Sequence, residues 1–167
     1  MSSITLTPLP LTAERFAPFG NVVEAAPSSN AAMNEQRFER FDNLVDIDID
    51  ARNDGHVGVS IARCRTPTQF PYRIEMVERH PLGSQAFIPL QRFSFIVVVG
   101  PAGESIEAAD LKAFVTNGRQ GINYHKGVWH MPLIALEAGH DFLVIDRVGE
   151  GANCDQVFLS ETVTLVQ

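Results

Sequence analysis

Lysine is nearly missing from this chain of 167 residues: Lys112 and Lys126 stand beside eleven arginines. Twenty acidic side chains outnumber the 13 cations, giving a formal net charge of −7. That balance excludes a nucleic-acid surface, whose affinity comes from cations that neutralise phosphates. Cysteine is scarce too. Cys64 and Cys154 make no C-x-x-C pair and have no activating neighbours in sequence, so two free thiols are expected and neither is a nucleophile. Long apolar runs are absent. The longest, Phe95-Ile96-Val97-Val98-Val99, falls far short of the ~20 residues that span a bilayer, so no membrane association is expected. Met1-Ser2-Ser3-Ile4 lacks the basic and apolar segments of a secretory leader, and a cytoplasmic location is expected. No Gly-rich phosphate loop and no G-x-S-x-G occur, so no nucleotide or redox cofactor is expected.

What is present reads as one mainly β domain over residues 1–167, with residues 1–50 as a strand-and-helix extension packing on a barrel. The spacing predicts a strand from Thr5 to Leu9, a short helix capped by Thr12, a strand over Asn21 to Glu24, and a polar loop from Pro27 to Asn34. Val57 to Ala62 alternates with period two after the turn Asn53-Asp54-Gly55. Arg73 to His80, Gln85 to Leu90, Phe93 to Val99, Val128 to Leu136, Phe142 to Ile145 and Val163 to Val166 follow as strands, separated by Gly/Pro turns. Ser105 to Phe114 is the later helical candidate. Many short strands with few helices indicate a sandwich or barrel. Phe93 to Val99 is apolar on both faces, so its outer side needs a cover, from a partner subunit or a packed extension. A homodimer is expected.

The richest stretch is Gly121-Ile122-Asn123-Tyr124-His125-Lys126-Gly127-Val128-Trp129-His130, with two of the five histidines and the single tryptophan. On a regular strand Lys126, Val128 and His130 point one way, and His125 and Trp129 the other. A bulge at Gly127 would swap these faces. A cation and an imidazole aimed together suit a small anion. The second candidate segment is Arg73-Ile74-Glu75-Met76-Val77-Glu78-Arg79-His80, where Glu78 and His80 leave the same face and could bind one metal or share one proton. An isolated E-x-H is also a common surface pair. Gln85, in the turn that follows, could donate to a substrate carbonyl or be a weak oxygen ligand. In a barrel, E-x-H on one strand and a histidine some fifty residues later can converge in the mouth.

That layout resembles the cupins, which implies a jelly-roll β-barrel or sandwich. Glu78 stands where the cupin pattern has its first histidine, Gln85 where it has glutamate, His125 where it has proline, and Ile134 where it has asparagine. Exchanging strong ligands for a carboxylate and an amide weakens metal affinity. The strings Glu78 to Pro89, Ala113 to Gly118, Gly121 to His130 with Pro132-Leu133, Asp141 to Arg147, and Asn153-Cys154-Asp155 resemble the ureidoglycolate lyases more specifically. Met131 stands where that family often has a further histidine.

The resemblance implies cleavage of ureidoglycolate into glyoxylate and urea during allantoin degradation, in a dimeric, cupin-like enzyme with nickel as a cofactor. The older family name implies an amidohydrolase that releases ammonia. The substrate is a carbinolamide, so the reaction needs a base for the hydroxyl, an acid for the departing urea nitrogen and a cation for the carboxylate. His80 or Glu78 would be the base, directly or through a metal held by Glu78, His80, Gln85 and His130. His130 or Lys126 would be the acid, and Arg73 or Lys126 would hold the carboxylate. Ser84 and Gln85 would bind the ureido group. His125 and Trp129 complete the substrate-binding set, or face the dimer partner if the strand is regular. The alternatives are a small-ligand-binding cupin and another metal-dependent cupin, such as an oxygenase or isomerase.

Overall fold

A computed structural model describes residues 3–25 and 31–167. In chain order the elements are β1 (Ser3–Leu6), β2 (Leu9–Pro10), α1 (Ala13–Phe16), β3 (Gly20–Val23), β4 (Ala31–Met33), β5 (Phe38–Arg40), β6 (His56–Arg63), β7 (Tyr72–Arg79) and β8 (Gln85–Pro89). Then come β9 (Phe95–Ala102), β10 (Lys112–Val115), β11 (Gly121–Tyr124), β12 (Val128–His130), β13 (Ile134–Ala135), β14 (Asp141–Val148) and β15 (Asp155–Leu165). The larger sheet runs β1-β15-β7-β12-β9-β10-β2, with β13 also on β9, and the smaller runs β3-β11-β8-β14-β6. The fold is mainly β with two principal sheets, as the strand spacing predicts, and is consistent with the jelly roll that the cupin resemblance implies.

The strand expected over Thr5 to Leu9 is in fact two. Thr7-Pro8 separates β1 from β2, and the missing amide of Pro8 suits a break in a ladder. These two strands form opposite edges of the larger sheet, β1 on β15 and β2 on β10. The sheet therefore curls until its edges meet across a two-residue link.

That curl explains β9. Phe95, Val97 and Val99 face the smaller sheet and pack with Phe87, Phe114, Ile122 and Phe142. Ile96 and Val98 face the interior of the curl with Ile74, Leu111, Trp129, Ile134 and Leu165. Both sides are covered within the chain, so β9 does not itself call for a partner subunit. Alternation of apolar side chains into two cores is what a strand buried on both faces requires.

The helix expected over Ser105 to Phe114 does not form. A single 3-10 turn at Ala108–Asp110 leads into β10. The apolar side chains there satisfy period two instead. Ala113 joins the curl's core while Phe114, paired with Val97 of β9, joins the core between the sheets. Thr12 does cap α1, its hydroxyl oxygen accepting from the Arg15 amide at 3.2 Å. The strand expected from Val128 to Leu136 is broken at Met131-Pro132-Leu133, and β15 begins eight residues before the expected Val163. Within the expected loop Pro27 to Asn34, Ala31–Met33 pairs with β5, while residues 27–30 lie outside the described residues.

Candidate active site

β7 and β12 are adjacent and antiparallel, with His130 directly opposite Glu78. His80 follows β7 two residues after Glu78 and keeps its side. Period-two geometry thus brings an E-x-H pair and a distant histidine to one face, the face that looks toward the smaller sheet. Glu78 Oε1 lies 3.7 Å from His130 Nε2 and 3.9 Å from His80 Nε2. The two imidazole centroids are 5.1 Å apart.

The other ring nitrogens fix the tautomers. His80 Nδ1 lies 2.6 Å from the Asn153 carbonyl oxygen, and His130 Nδ1 lies 3.0 Å from the Val128 carbonyl oxygen. A carbonyl accepts and cannot donate, so each Nδ1 carries a proton and each Nε2 is the ring atom turned toward Glu78. Among the described residues, neither buried Nε2 has a hydrogen-bond partner. An unpaired buried polar atom is costly, and two of them aimed at one carboxylate point to something that completes them.

Burial governs the electrostatics. Desolvation drives the His130 pKa down to about 3, so that imidazole is neutral at physiological pH. Tyr124, at the end of β11, stacks on His130 with centroids 4.3 Å apart and planes 14° apart. Burial first, and then the Glu78 charge, raises the phenol's pKa and keeps it protonated. Cys154 donates its thiol to Glu78 Oε2 at 3.6 Å, and partial burial followed by Glu78 raises its pKa.

The donor set fits a divalent cation. One ligand atom from each of Glu78, His80 and His130 lies within 4.8 Å of the others. Two imidazoles and a carboxylate suit borderline first-row metals, and carbonyl-anchored Nδ1–H groups are the usual outer support for histidine ligands.

A cavity of about 560 Å3 is lined by Asp46, Ile47, Asp48, Ser84, His125 and Lys126, of which Ser84 follows His80 and Lys126 precedes His130 in the chain. It collects three of the residues singled out from the sequence. The expected regular strand through Lys126 is replaced by a turn at Lys126-Gly127, where Gly127 adopts φ +77°. The Gly127 amide donates to the His80 carbonyl at 3.0 Å, tying cavity to cluster. Lys126 Nζ lies 3.0 Å from Asp48 Oδ2. Ser84 is already engaged by the strap across from it. Its hydroxyl accepts from the Asp48 amide at 2.9 Å, and its own amide donates to the Asp48 carbonyl.

Gln85 faces Tyr124 across β8 and β11, and its amide nitrogen donates to Asp146 at 3.1 Å. Two expected residues are elsewhere. Arg73 is exposed on β7, opposite Thr164 and five residues before Glu78, roughly 16 Å along a strand. Trp129 points into the curl's core, donates to the Gly103 carbonyl at 3.0 Å and lies under the Arg79 guanidinium. Both cysteines are free thiols. Tyr124, Asn153, Cys154, Asp146 and Asp48 are the members of this region that sequence reasoning did not place. Family strings contain Tyr124, Asp146, Asn153 and Cys154 and were the one signal of them, while Asp48 had none.

The ureidoglycolate lyase family model matches residues 3–166. A ureidoglycolate lyase of Pseudomonas syringae pv. tomato is 48% identical over 162 residues, covering 97% of this chain and 94% of the relative. Ureidoglycolate lyases of Pseudomonas fluorescens and Pseudomonas aeruginosa are 47% and 46% identical, each over 97% of this chain and at least 95% of their own lengths. By extent of match and by identity, the chain belongs to the ureidoglycolate lyase family.

Proposed function

We propose that this chain cleaves ureidoglycolate to glyoxylate and urea, a step of allantoin and purine degradation in the cytoplasm, at the Glu78/His80/His130 cluster. The name shared by its relatives supplies the substrate. The observation that carries the site is the pair of buried Nε2 atoms, unpartnered among the described residues, that flank the Glu78 carboxylate. Glu78, His80 and His130 would hold a divalent cation, which when bound would acidify the substrate hydroxyl and offset its developing charge.

The proton balance is simple. The carbinol hydroxyl loses a proton, the C–N bond breaks, and the urea nitrogen gains one, so a single group that accepts and returns a proton suffices. Glu78 is that group: Oε1 faces the imidazoles, while Oε2 faces Cys154 at the exposed rim. His130, neutral by burial, has no Nε2 proton to give and serves as a ligand rather than as an acid. Lys126 binds the substrate carboxylate, which exchanges with the Asp48 carboxylate now 3.0 Å from its ammonium. Gln85 and His125 hydrogen-bond the ureido end.

The deciding assay incubates the protein with ureidoglycolate and measures glyoxylate, urea and ammonia separately. Glyoxylate and urea in equal amounts are expected; ammonia as the nitrogen product would replace this reading with an amidohydrolase. A small-ligand-binding protein would give no product at all. In the same assay Lys126→Ala raises KM and leaves kcat near the parent value. A fall in kcat at unchanged KM would instead place Lys126 in proton transfer.

A homodimer forms part of the same proposal, now on a different surface. β6 is an edge strand whose outward side chains Val57, Val59 and Ile61 are at least half exposed, and Ile145 and Leu143 of β14 lie opposite Val59 and Ile61. A contiguous apolar sheet face of this kind suits burial against a second copy. Light scattering is expected to report a dimer that Val59→Glu/Ile61→Glu converts to a monomer; a monomeric parent protein would remove it.

A further inference from the structure

We infer that Cys154 is a positioning residue that holds the Glu78 carboxylate in its ligating orientation. The inference rests on the reading of Glu78, His80 and His130 as a metal centre. Glu78 presents its two oxygens to different neighbours. Oε1 faces both imidazoles, and Oε2 accepts the Cys154 thiol. The residue before it, Asn153, orients the next ligand: its carbonyl takes the His80 Nδ1 proton, while its side-chain oxygen accepts from the Leu82 amide at 2.8 Å. Two consecutive residues at the entry to β15 thus support two of the three ligands from behind. The third, His130, is sealed at 2% exposure, with an unpartnered Nε2 aimed at the same carboxylate.

A carboxylate on a long side chain has several rotamers, and ligation of one oxygen gains from a donor that pins the other. A thiol is a weak donor, yet among the described residues no other side chain donates a hydrogen bond to Glu78. Cys154 is not within ligand range of all three cluster atoms, so its role differs from theirs.

The test is a cobalt(II) titration of the full chain, read by calorimetry and by absorption. Outer-shell partners typically contribute 10–100-fold in metal affinity, so Cys154→Ala is expected to weaken cobalt binding about tenfold or more. Cys154→Ser, which keeps a donor, restores most of it, and His80→Ala abolishes tight binding. No near-ultraviolet thiolate-to-cobalt band appears in the parent protein. Parent-level affinity in Cys154→Ala overturns the inference alone. A thiolate–cobalt band that vanishes in Cys154→Ala also overturns it, by making Cys154 a ligand. A parent protein that binds no cobalt overturns the metal-centre reading and this inference together.

Discussion

Removing either imidazole, by His80→Ala or His130→Ala, lowers kcat for ureidoglycolate cleavage at least a hundredfold, about 2.7 kcal/mol of barrier. Each Nε2 is buried, has no hydrogen-bond partner among the described residues and faces the Glu78 carboxylate, so each deletion opens the ligand set proposed to surround the reacting hydroxyl. Glu78→Gln tests the same cluster without changing volume. It keeps an oxygen near the imidazoles but removes the negative charge and the proton acceptor, and a comparable loss is expected. His80 retains some exposure, so its truncation leaves the core intact. His130 is sealed and stacks on Tyr124, so His130→Gln accompanies His130→Ala, and circular dichroism of both separates lost chemistry from lost fold. Near-normal turnover in a folded His80→Ala or His130→Ala protein would take that residue out of the mechanism.

The convergence behind this prediction was legible in the sequence because it follows from strand period. Glu78 and His80 share a side by spacing alone, and the register of β7 against β12 places His130 opposite Glu78. The same rule misplaced Lys126. Gly127 permits a left-handed turn there, so the alternation that holds for Val128, Trp129 and His130 stops short of residue 126. Residues whose role depends on backbone atoms were illegible. Nothing in the identity of Asn153 announces that its carbonyl fixes the His80 tautomer. Asp48 lies in a strap without regular structure, where no periodicity links it to Lys126. Ser105 to Phe114 misled for another reason: Ile106, Leu111 and Phe114 are too sparse to define a helical stripe, and tertiary pairing with β9 decided the matter. The closure of the larger sheet was likewise hidden, because it depends on β1 and β2 choosing partners more than a hundred residues away.

A large stability effect is expected at Phe142. Its ring is fully buried on β14 and meets Phe87, Phe93 and Phe95 edge-on, with centroids 6.3, 5.0 and 5.1 Å away and planes within 10° of perpendicular. Phe87 belongs to the smaller sheet and Phe95 to the larger, so this ring joins the two layers. Phe142→Ala removes its buried surface and leaves a void between sheets whose spacing the neighbouring rings maintain. The expected loss is about 3–5 kcal/mol, a large share of the 5–15 kcal/mol typical of a whole domain. For a chain of this length that corresponds to a fall in Tm on the order of 10 °C. Phe142→Leu, which refills most of the space, should lose less than half as much. Phe158→Ala is the contrast: that ring is 75% exposed, and its removal should change stability by no more than about 0.5 kcal/mol. Chemical denaturation of the three variants checks the ranking. A Phe142→Ala protein within about 1 kcal/mol of the parent would mean that the neighbouring rings collapse into the space, so that the two sheets rely on other contacts to stay together.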